Sequence, residues 1–127
     1  MEFTLTDALI ALGQLLIGAL FVYGGLSHFG PAAEKIIPLF EARGVPMPRQ
    51  ALYVASVFQL VCGAGLMLGV LIVPAALGLI LFTIAASVVM ANFWDMPPGE
   101  EREALQNVWA SNIAIIGGLL LAAAAAL

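Results

Sequence analysis

The sequence predicts an all-α integral membrane protein, a four-transmembrane-helix bundle with a short interfacial helix between helices 1 and 2. Of its 127 residues, 63% are hydrophobic and only 9% are charged, whereas soluble domains average roughly 45–50% and about 25%. The charged residues fall in short clusters, and the uncharged tracts between them are as long as membrane spans. A soluble domain of this size leaves much of its surface in water and could not bury so many apolar side chains.

The same composition excludes several functional classes. Four Lys and Arg residues cannot form the basic face that binds nucleic-acid phosphates, so no nucleic-acid partner is expected. A single cysteine, Cys62, cannot close an internal disulfide or form a CxxC redox pair. Membrane lipids are the partners that this composition predicts.

Three tracts without Asp, Glu, Lys, Arg or His define the spans, and they cover residues 8–27, 50–94 and 104–127. About 20 helical residues cross ~30 Å of hydrocarbon, so the outer tracts hold one span each. The middle tract holds two, divided near Pro74, which suits the first turn of a helix. Thr6 and Asp7 are placed to cap the first span. We therefore expect one domain, residues 1–127, with spans at 8–27, 51–70, 74–93 and 107–126.

The basic residues predict which way the bundle faces. With four spans, both termini lie on one side of the membrane, and the 28–50 and 94–106 loops lie on the other. All of the Lys and Arg residues fall in these two loops: Lys35, Arg43, Arg49 and Arg102. Because cytoplasmic loops carry the excess of basic residues, we expect both loops in the cytoplasm and both termini outside.

The 28–50 loop carries a helical pattern of its own. Apolar residues recur at i, i+3, i+4 and i+7, and Gly44 follows as a stop signal; the four residues are Ala33, Ile36, Ile37 and Phe40. Two interpretations fit this pattern. The helix lies in the membrane interface, or it caps the helical bundle.

Small residues predict where the spans pack closely. The last span has one at every fourth position, and such residues allow helix backbones to approach each other in lipid. We call this set the packing seam: Ala110, Ala114, Gly118 and Ala122. The seam could serve contacts within the bundle or contacts with a second copy or another subunit.

Polar side chains inside apolar spans mark candidate functional positions. Gln14 and Gln59 are the two amides deepest in the spans and form a candidate buried polar pair. Five further residues define a candidate pocket for a quinone or another small ligand: His28, Tyr53, Asn92, Trp94 and Asn112. The alternative interpretation is structural, because amides also bridge helices at about 0.6 kcal/mol each and aromatic residues form interfacial belts.

Ionisable and metal-binding side chains are too few for a self-contained catalytic site. No Asp or Glu lies within a predicted span, so a proton-coupled transporter would lack its titrating group. One histidine and one cysteine cannot complete a zinc site or a bis-histidine haem, although His28 could still be the single axial ligand of a porphyrin. We assign no catalytic residue and no metal. No cofactor is evident from the sequence, and a quinone is the main candidate.

The order of several short motifs resembles the DoxX family of small four-helix membrane proteins over nearly the whole chain. The matching segments are Gly18-Ala19-Leu20-Phe21, Gly24-Gly25-Leu26-Ser27-His28, Gly44-Val45-Pro46-Met47-Pro48, the glycine-rich run Gln59 to Gly69, Phe93-Trp94, Ser111-Asn112-Ile113-Ala114 and Gly117-Gly118. Each segment is weak alone, but their order, spacing and total length are together fairly specific. The resemblance implies a prokaryotic cytoplasmic membrane and a redox association, because the family takes its name from a subunit of a membrane thiosulfate:quinone oxidoreductase.

Charged residues that are common in that family are replaced in this chain. The family commonly carries Arg, Lys, Glu, His and Lys at or near five positions, where this sequence has Gln14, His28, Gln59, Asn92 and Ser111. If the family's Arg and Glu form a buried ion pair, the resemblance implies that Gln14 and Gln59 keep a hydrogen bond without the charges.

Two functions follow as expectations. The first is a non-catalytic membrane subunit that anchors or stabilises partner proteins, or further copies of this chain, in a redox-linked membrane complex. Its basis is the small-residue seams, the short loops and the scarcity of ionisable groups in the spans. The alternative is a quinone-binding component of a membrane oxidoreductase. A small-solute carrier is disfavoured by the absence of acidic residues from the spans.

Overall fold

The computed structural model describes residues 2–127, which form helices and no strand. In chain order the helices are α1 (Leu5–Ser27), α2 (Ala33–Ala42), α3 (Pro48–Leu68), α4 (Ile72–Met90) and α5 (Glu100–Ala125), with a 3-10 turn at Phe93–Asp95. Helices α1, α3, α4 and α5 are long and apolar enough to cross a membrane. The predicted fold class, four spans with a short helix between the first two, is confirmed.

The N-terminus of α1 is capped by Thr4. The Thr4 hydroxyl accepts the backbone N–H of Asp7 at 3.1 Å, and the Asp7 carboxylate accepts the backbone N–H of Thr4 at 3.0 Å. This reciprocal arrangement is a capping box. The prediction of a cap at Thr6 is wrong, because Thr6 lies inside the helix and Asp7 is its third residue.

Helix α5 begins at Glu100, ahead of residue 107, where the apolar tract predicts its start. Its first turn contains Glu100, Glu101 and Glu103, and carboxylates there are stabilised by the positive end of the helix dipole. An uncharged tract therefore locates the part of a helix that enters lipid, and the helix itself continues into the polar loop.

Helices α1 and α3 pack closely through glycines. A Cβ atom on Gly18 would lie 2.6 Å from the backbone oxygen of Gly63, and one on Gly63 would lie 2.9 Å from the backbone oxygen of Gly18. These distances leave no room for a side chain at either position. The two backbones are therefore in direct contact near the middle of the spans.

The four spans form a ring in which α1 contacts α3 and α5, and α4 also contacts α3 and α5. The main core is apolar and contains Phe21, Leu66, Ala75, Ala76, Leu79, Leu119 and Ala123. A polar contact also joins α4 to α5. Asn112 donates from Nδ2 to the Ser87 hydroxyl at 2.8 Å, and Ser87 donates to the backbone oxygen of Thr83 at 2.7 Å.

Helix α2 covers one end of this ring, which we call the loop end. Its apolar side, Ala33, Ile36 and Ile37, is buried together with Leu52 of α3, and Met90 of α4 packs against this cluster. Of the two interpretations that the sequence leaves open, the contacts support the helix that caps the bundle.

Arg43 and Trp109 make three polar contacts at this end of the bundle. Arg43 forms an ion pair with Asp95 at 3.0 Å and donates to the backbone oxygen of Val88 at 3.2 Å. The indole N–H of Trp109 donates to the backbone oxygen of Ala91 at 2.6 Å. Together they hold the loops at this end against the transmembrane helices.

Candidate functional site

A cavity of about 330 Å³ lies at the loop end, between α3 and α4 and beneath α2. Its lining is largely apolar, and the two residues with strongly polar side chains are His28 and Gln59. The lining residues are His28, Phe40, Leu52, Ala55, Gln59, Phe82, Ala85, Ala86, Val89 and Met90. A mostly apolar hollow with a few converging polar groups is the usual form of a small-molecule site.

His28 ends α1 and reaches α3 through one hydrogen bond. Its Nδ1 atom lies 2.9 Å from the Ser56 hydroxyl oxygen, and the single hydroxyl proton of Ser56 is donated to the backbone oxygen of Leu52 at 2.7 Å. Nδ1 must therefore carry a proton and donate to Ser56. In the neutral ring Nε2 is then an acceptor, and no residue in 2–127 hydrogen-bonds to it.

Burial also favours the neutral form of His28. Loss of water around the ring lowers the pKa of His28 below its ordinary value of 6.5, because desolvation penalises the imidazolium. At neutral pH the cavity therefore contains an uncharged imidazole with a free acceptor nitrogen.

Gln59 supplies the second polar group and is almost completely buried, with 6% of its surface exposed. Its Oε1 atom is buried and has no hydrogen-bond partner among the described residues. Its Nε2 atom lies beside Gly24 of α1, where a Cβ atom would come within 2.8 Å of it. An unpaired amide oxygen in an apolar environment costs about 1–3 kcal/mol, so this group calls for an explanation.

Ser56 and Gln59 stand next to each other on one face of α3, because residues three apart are neighbours on a helix. Ser56 holds His28, so the two polar groups of the cavity belong to one cluster that joins α1 to α3. The arrangement offers an acceptor nitrogen and an amide to a ligand without any charge.

Tyr53 lies outside the cavity lining. Its ring stacks on Phe29 with 5.3 Å between the ring centroids, and its hydroxyl accepts from Arg49 at 3.3 Å. Arg49 also pairs with Glu34 of α2 at 3.5 Å. The structure therefore places Tyr53 against the segment between α1 and α2, in contact with Phe29 and Arg49.

The other three members of the predicted pocket lie around the loop after α4. Asn92 donates to Asp95 at 3.1 Å, and Trp94 packs against Phe93 and Trp109 with centroids 5.4 and 5.9 Å away. Asn112 bonds to Ser87 between α4 and α5. Of the five predicted pocket residues, the structure places only His28 in the cavity lining.

Gln14 and Gln59 lie in separate places. Gln14 lines a second cavity of about 280 Å³ between α1 and α5, and Gln59 contacts α1 at Gly24, ten residues further along. Ten residues span about 15 Å of helix, so no direct hydrogen bond joins the two amides. A link through water, the other form of the predicted pair, stays a prediction.

The packing seam divides into two halves. Ala122 is buried, and a Cβ atom on Gly118 would lie 3.0 Å from Cδ1 of Ile17 in α1. Ala110 and Ala114 are exposed. The half nearer the C-terminus therefore packs against α1, and the half nearer the loop end faces outward.

Sequence reasoning missed Ser56 as a site residue and missed the apolar walls of the cavity. The spacing of Ser56 and Gln59 on one helix face was a usable signal for the first. Phe40 could not have been found in the same way, because it reaches the cavity only when α2 folds back over the spans.

Comparison with known proteins agrees with this architecture. A family model described as DoxX matches residues 9–92. The chain belongs to the DoxX family. The matched range contains both polar residues of the cavity, and this DoxX protein is a multi-pass membrane protein with four spans.

One curated relative extends over most of this DoxX chain. The chain is similar to this relative, the inner membrane protein YphA of Escherichia coli (strain K12), with 24% identity over 115 residues. The alignment covers 91% of this chain and 81% of YphA. No solved structure matches.

Proposed function

We propose that this DoxX protein binds the ring of a quinone in the loop-end cavity and is the quinone-binding component of a membrane oxidoreductase. The observation that carries the proposal is the unpaired buried amide oxygen of Gln59, which lines the same largely apolar cavity as His28. A bound quinone would supply a carrier of electrons and protons that is soluble in the bilayer.

The donors and acceptors of the cavity suit this group. A quinol hydroxyl can donate to Oε1 of Gln59 or to Nε2 of His28. A quinone carbonyl can accept from the Gln59 amide nitrogen, because an amide offers an acceptor at one end and donors at the other. The role derived for this chain is to hold and orient the ring through these two residues.

The size of the cavity also supports a quinone ring as its ligand. Its volume of about 330 Å³ is at the lower end of the roughly 300–1,000 Å³ of small-molecule sites. That space suits a single substituted ring. The two residues with strongly polar side chains would fix its orientation, while the apolar walls contribute contact area.

The test is the quinone content of the purified protein. Wild-type protein, Gln59→Met and Gln14→Met are purified from their native membranes into lipid nanodiscs, and bound quinone is extracted and measured by absorbance. Methionine keeps the length of glutamine and removes its amide. We expect quinone with wild type and Gln14→Met, and about tenfold less with Gln59→Met, since each 1.4 kcal/mol of lost binding is tenfold. Equal amounts in both variants, or none in wild type, would refute the proposal.

The exposed half of the packing seam favours a second candidate function, a subunit that anchors partner proteins in a larger membrane complex. Small residues that face outward, Ala110 and Ala114, allow close approach of another transmembrane helix. Ala114→Leu should lose partners that co-purify in mild detergent, whereas Ile113→Leu, a change at an adjacent exposed position, should keep them. Partners retained by both variants would contradict this role.

We further propose an inner-membrane location with the loop end in the cytoplasm and both termini outside. Lys35, Arg43, Arg49 and Arg102 all belong to the loop end, and the positive-inside bias supports this orientation. A cysteine introduced at Gly99, in a Cys62→Ala background, should resist an impermeant thiol reagent in intact cells and react after lysis. Rapid labelling in intact cells would reverse the orientation.

A further inference from the structure

A second hollow lies on the outer surface of the same helix pair. It is an apolar groove of about 570 Å³ between α3 and α4, and we call it the lateral groove. Almost all of its surface is apolar, and it faces the lipid side of the bundle. Its lining residues are Pro46, Met47, Gln50, Ala51, Val54, Ala55, Phe58, Gly78, Leu81, Phe82 and Ala85.

The lateral groove and the loop-end cavity share part of their walls. Ala55, Phe82 and Ala85 line both spaces. Two of these three side chains are single methyl groups, so little material separates the groove from the cavity. Ala85 is also exposed, so at this position a single small residue lies between the cavity and the outer surface of the bundle.

The lateral groove runs along α3 and α4 from the loop end to a close contact between the two helices. A Cβ atom on Gly78 would lie 2.9 Å from the ring of Phe58, so α3 and α4 touch there. Towards the loop end it extends to Met47. The eleven helical steps from Met47 to Phe58 cover about 16 Å, enough for an extended chain lying along the protein surface.

We infer that the ligand of this site is amphiphilic, with its ring in the loop-end cavity and an unbranched or isoprenoid chain in the lateral groove. It reaches the site sideways from the bilayer between α3 and α4. This inference rests on the proposed quinone function and names the class of quinone, one that carries a membrane-soluble tail. The walls that groove and cavity share at Ala55, Phe82 and Ala85 assign the groove to the tail.

The test uses a quinone whose decyl tail ends in a photoreactive diazirine, added to the full-length protein in nanodiscs. After illumination, mass spectrometry locates the labelled residues. We expect label on groove residues such as Val54 and Leu81. An excess of ubiquinone-0, which has the ring and no tail, should reduce this label at least about fivefold, because it occupies the cavity and releases the probe.

A matched pair of variants checks the groove itself. Val54 lines the groove and Val57 does not, although both are exposed valines on α3. Val54→Trp should fill the groove and abolish the local label, and Val57→Trp should leave it unchanged. Because the labelled sites are mapped on wild-type protein first, a variant that fails to fold does not decide the question.

The outcomes separate this inference from the function on which it rests. Label spread over the exposed faces of all four spans and insensitive to ubiquinone-0 would overturn the assignment of the tail to the lateral groove. If ubiquinone-0 still protects wild type but not Gln59→Met against thermal unfolding, the quinone ring site stands and only the tail assignment fails. If it protects neither protein and the label is diffuse, both proposals fail.

Discussion

Helix α3 has two interfaces that differ in how closely the helices approach. Towards α1, Gly18 and Gly63 bring the two backbones into contact, and no side chain fits between them. Towards α4, alanines and phenylalanines leave an internal cavity and a surface groove. In lipid, where no hydrophobic force drives helices together, close backbone approach stabilises the bundle. The α1–α3 side therefore holds the bundle together, and the α3–α4 side has room for a ligand.

The largest expected effect is on the closely packed side. Gly18→Leu places a branched side chain where a single Cβ atom would already lie 2.6 Å from a backbone oxygen. The backbone cannot give way as a flexible side chain could, so we expect a loss of about 3 kcal/mol or more of stability and a sharp fall in folded yield. Size-exclusion chromatography and thermal unfolding in detergent measure both.

Gly13→Leu is the matched control for that variant. It makes the same change on the same helix at a position where a Cβ atom would have nothing within 4 Å. This variant should fold and unfold like wild type. If Gly18→Leu also did so, the close contact between α1 and α3 would not be what holds the bundle together.

An intermediate effect on stability is expected at His28, which follows α1, bonds to Ser56 of α3 and lines the cavity between α3 and α4. The pKa of His28 is lowered by burial, so the unfolded chain binds a proton more readily than the folded one. Stability is then complete above about pH 6.5 and falls as the pH drops through the lowered pKa. His28→Asn keeps a donor for Ser56 and does not titrate.

The readout for His28 is the melting temperature of both proteins between pH 8 and pH 5. Carboxylates titrate in both, so the difference between the two curves isolates the histidine. We expect wild type to lose stability more steeply than His28→Asn below pH 6.5. Parallel curves would show that His28 is not buried as a neutral ring.

The smallest effect on stability is expected for the contacts that hold α2 over the cavity. Arg43→Ala removes the ion pair with Asp95 and the bond to Val88, and such partly exposed pairs contribute about 0.2–1 kcal/mol. Lys35→Ala removes an exposed charge from α2 itself and is the control. Hydrogen exchange should speed up in α2 for Arg43→Ala only. Unchanged exchange would mean that apolar packing alone holds α2 in place.

Much of the fold could be predicted from the sequence, because lipid imposes simple rules on length and charge. Uncharged tracts gave the number of spans, and Pro74 gave the break between the middle two. The start of α5 at Glu100 was missed, because hydropathy reports where a helix meets lipid and not where its hydrogen bonds begin.

The site could be predicted only in part. Counting residues from helix ends gives depth in the membrane, and depth placed His28, Tyr53, Asn92, Trp94 and Asn112 at one level. It does not give the direction in which each side chain points around the bundle, and that direction brings only His28 of these five residues into the cavity lining. Gln59 was recognised as buried, but its separation from Gln14 follows from the pairing of α1 with α3, which no local pattern reveals.

We propose that the amide of Gln59 is kept for a ligand at a cost to stability. The most direct test is the thermal unfolding of Gln59→Met and wild type in nanodiscs, with and without ubiquinone-0. Removing an unpaired buried amide should raise stability by about 1 kcal/mol, so the variant should melt several degrees higher without quinone and gain nothing when quinone is added, while wild type gains. A variant that melts below wild type and is stabilised by quinone to the same extent would contradict the claim.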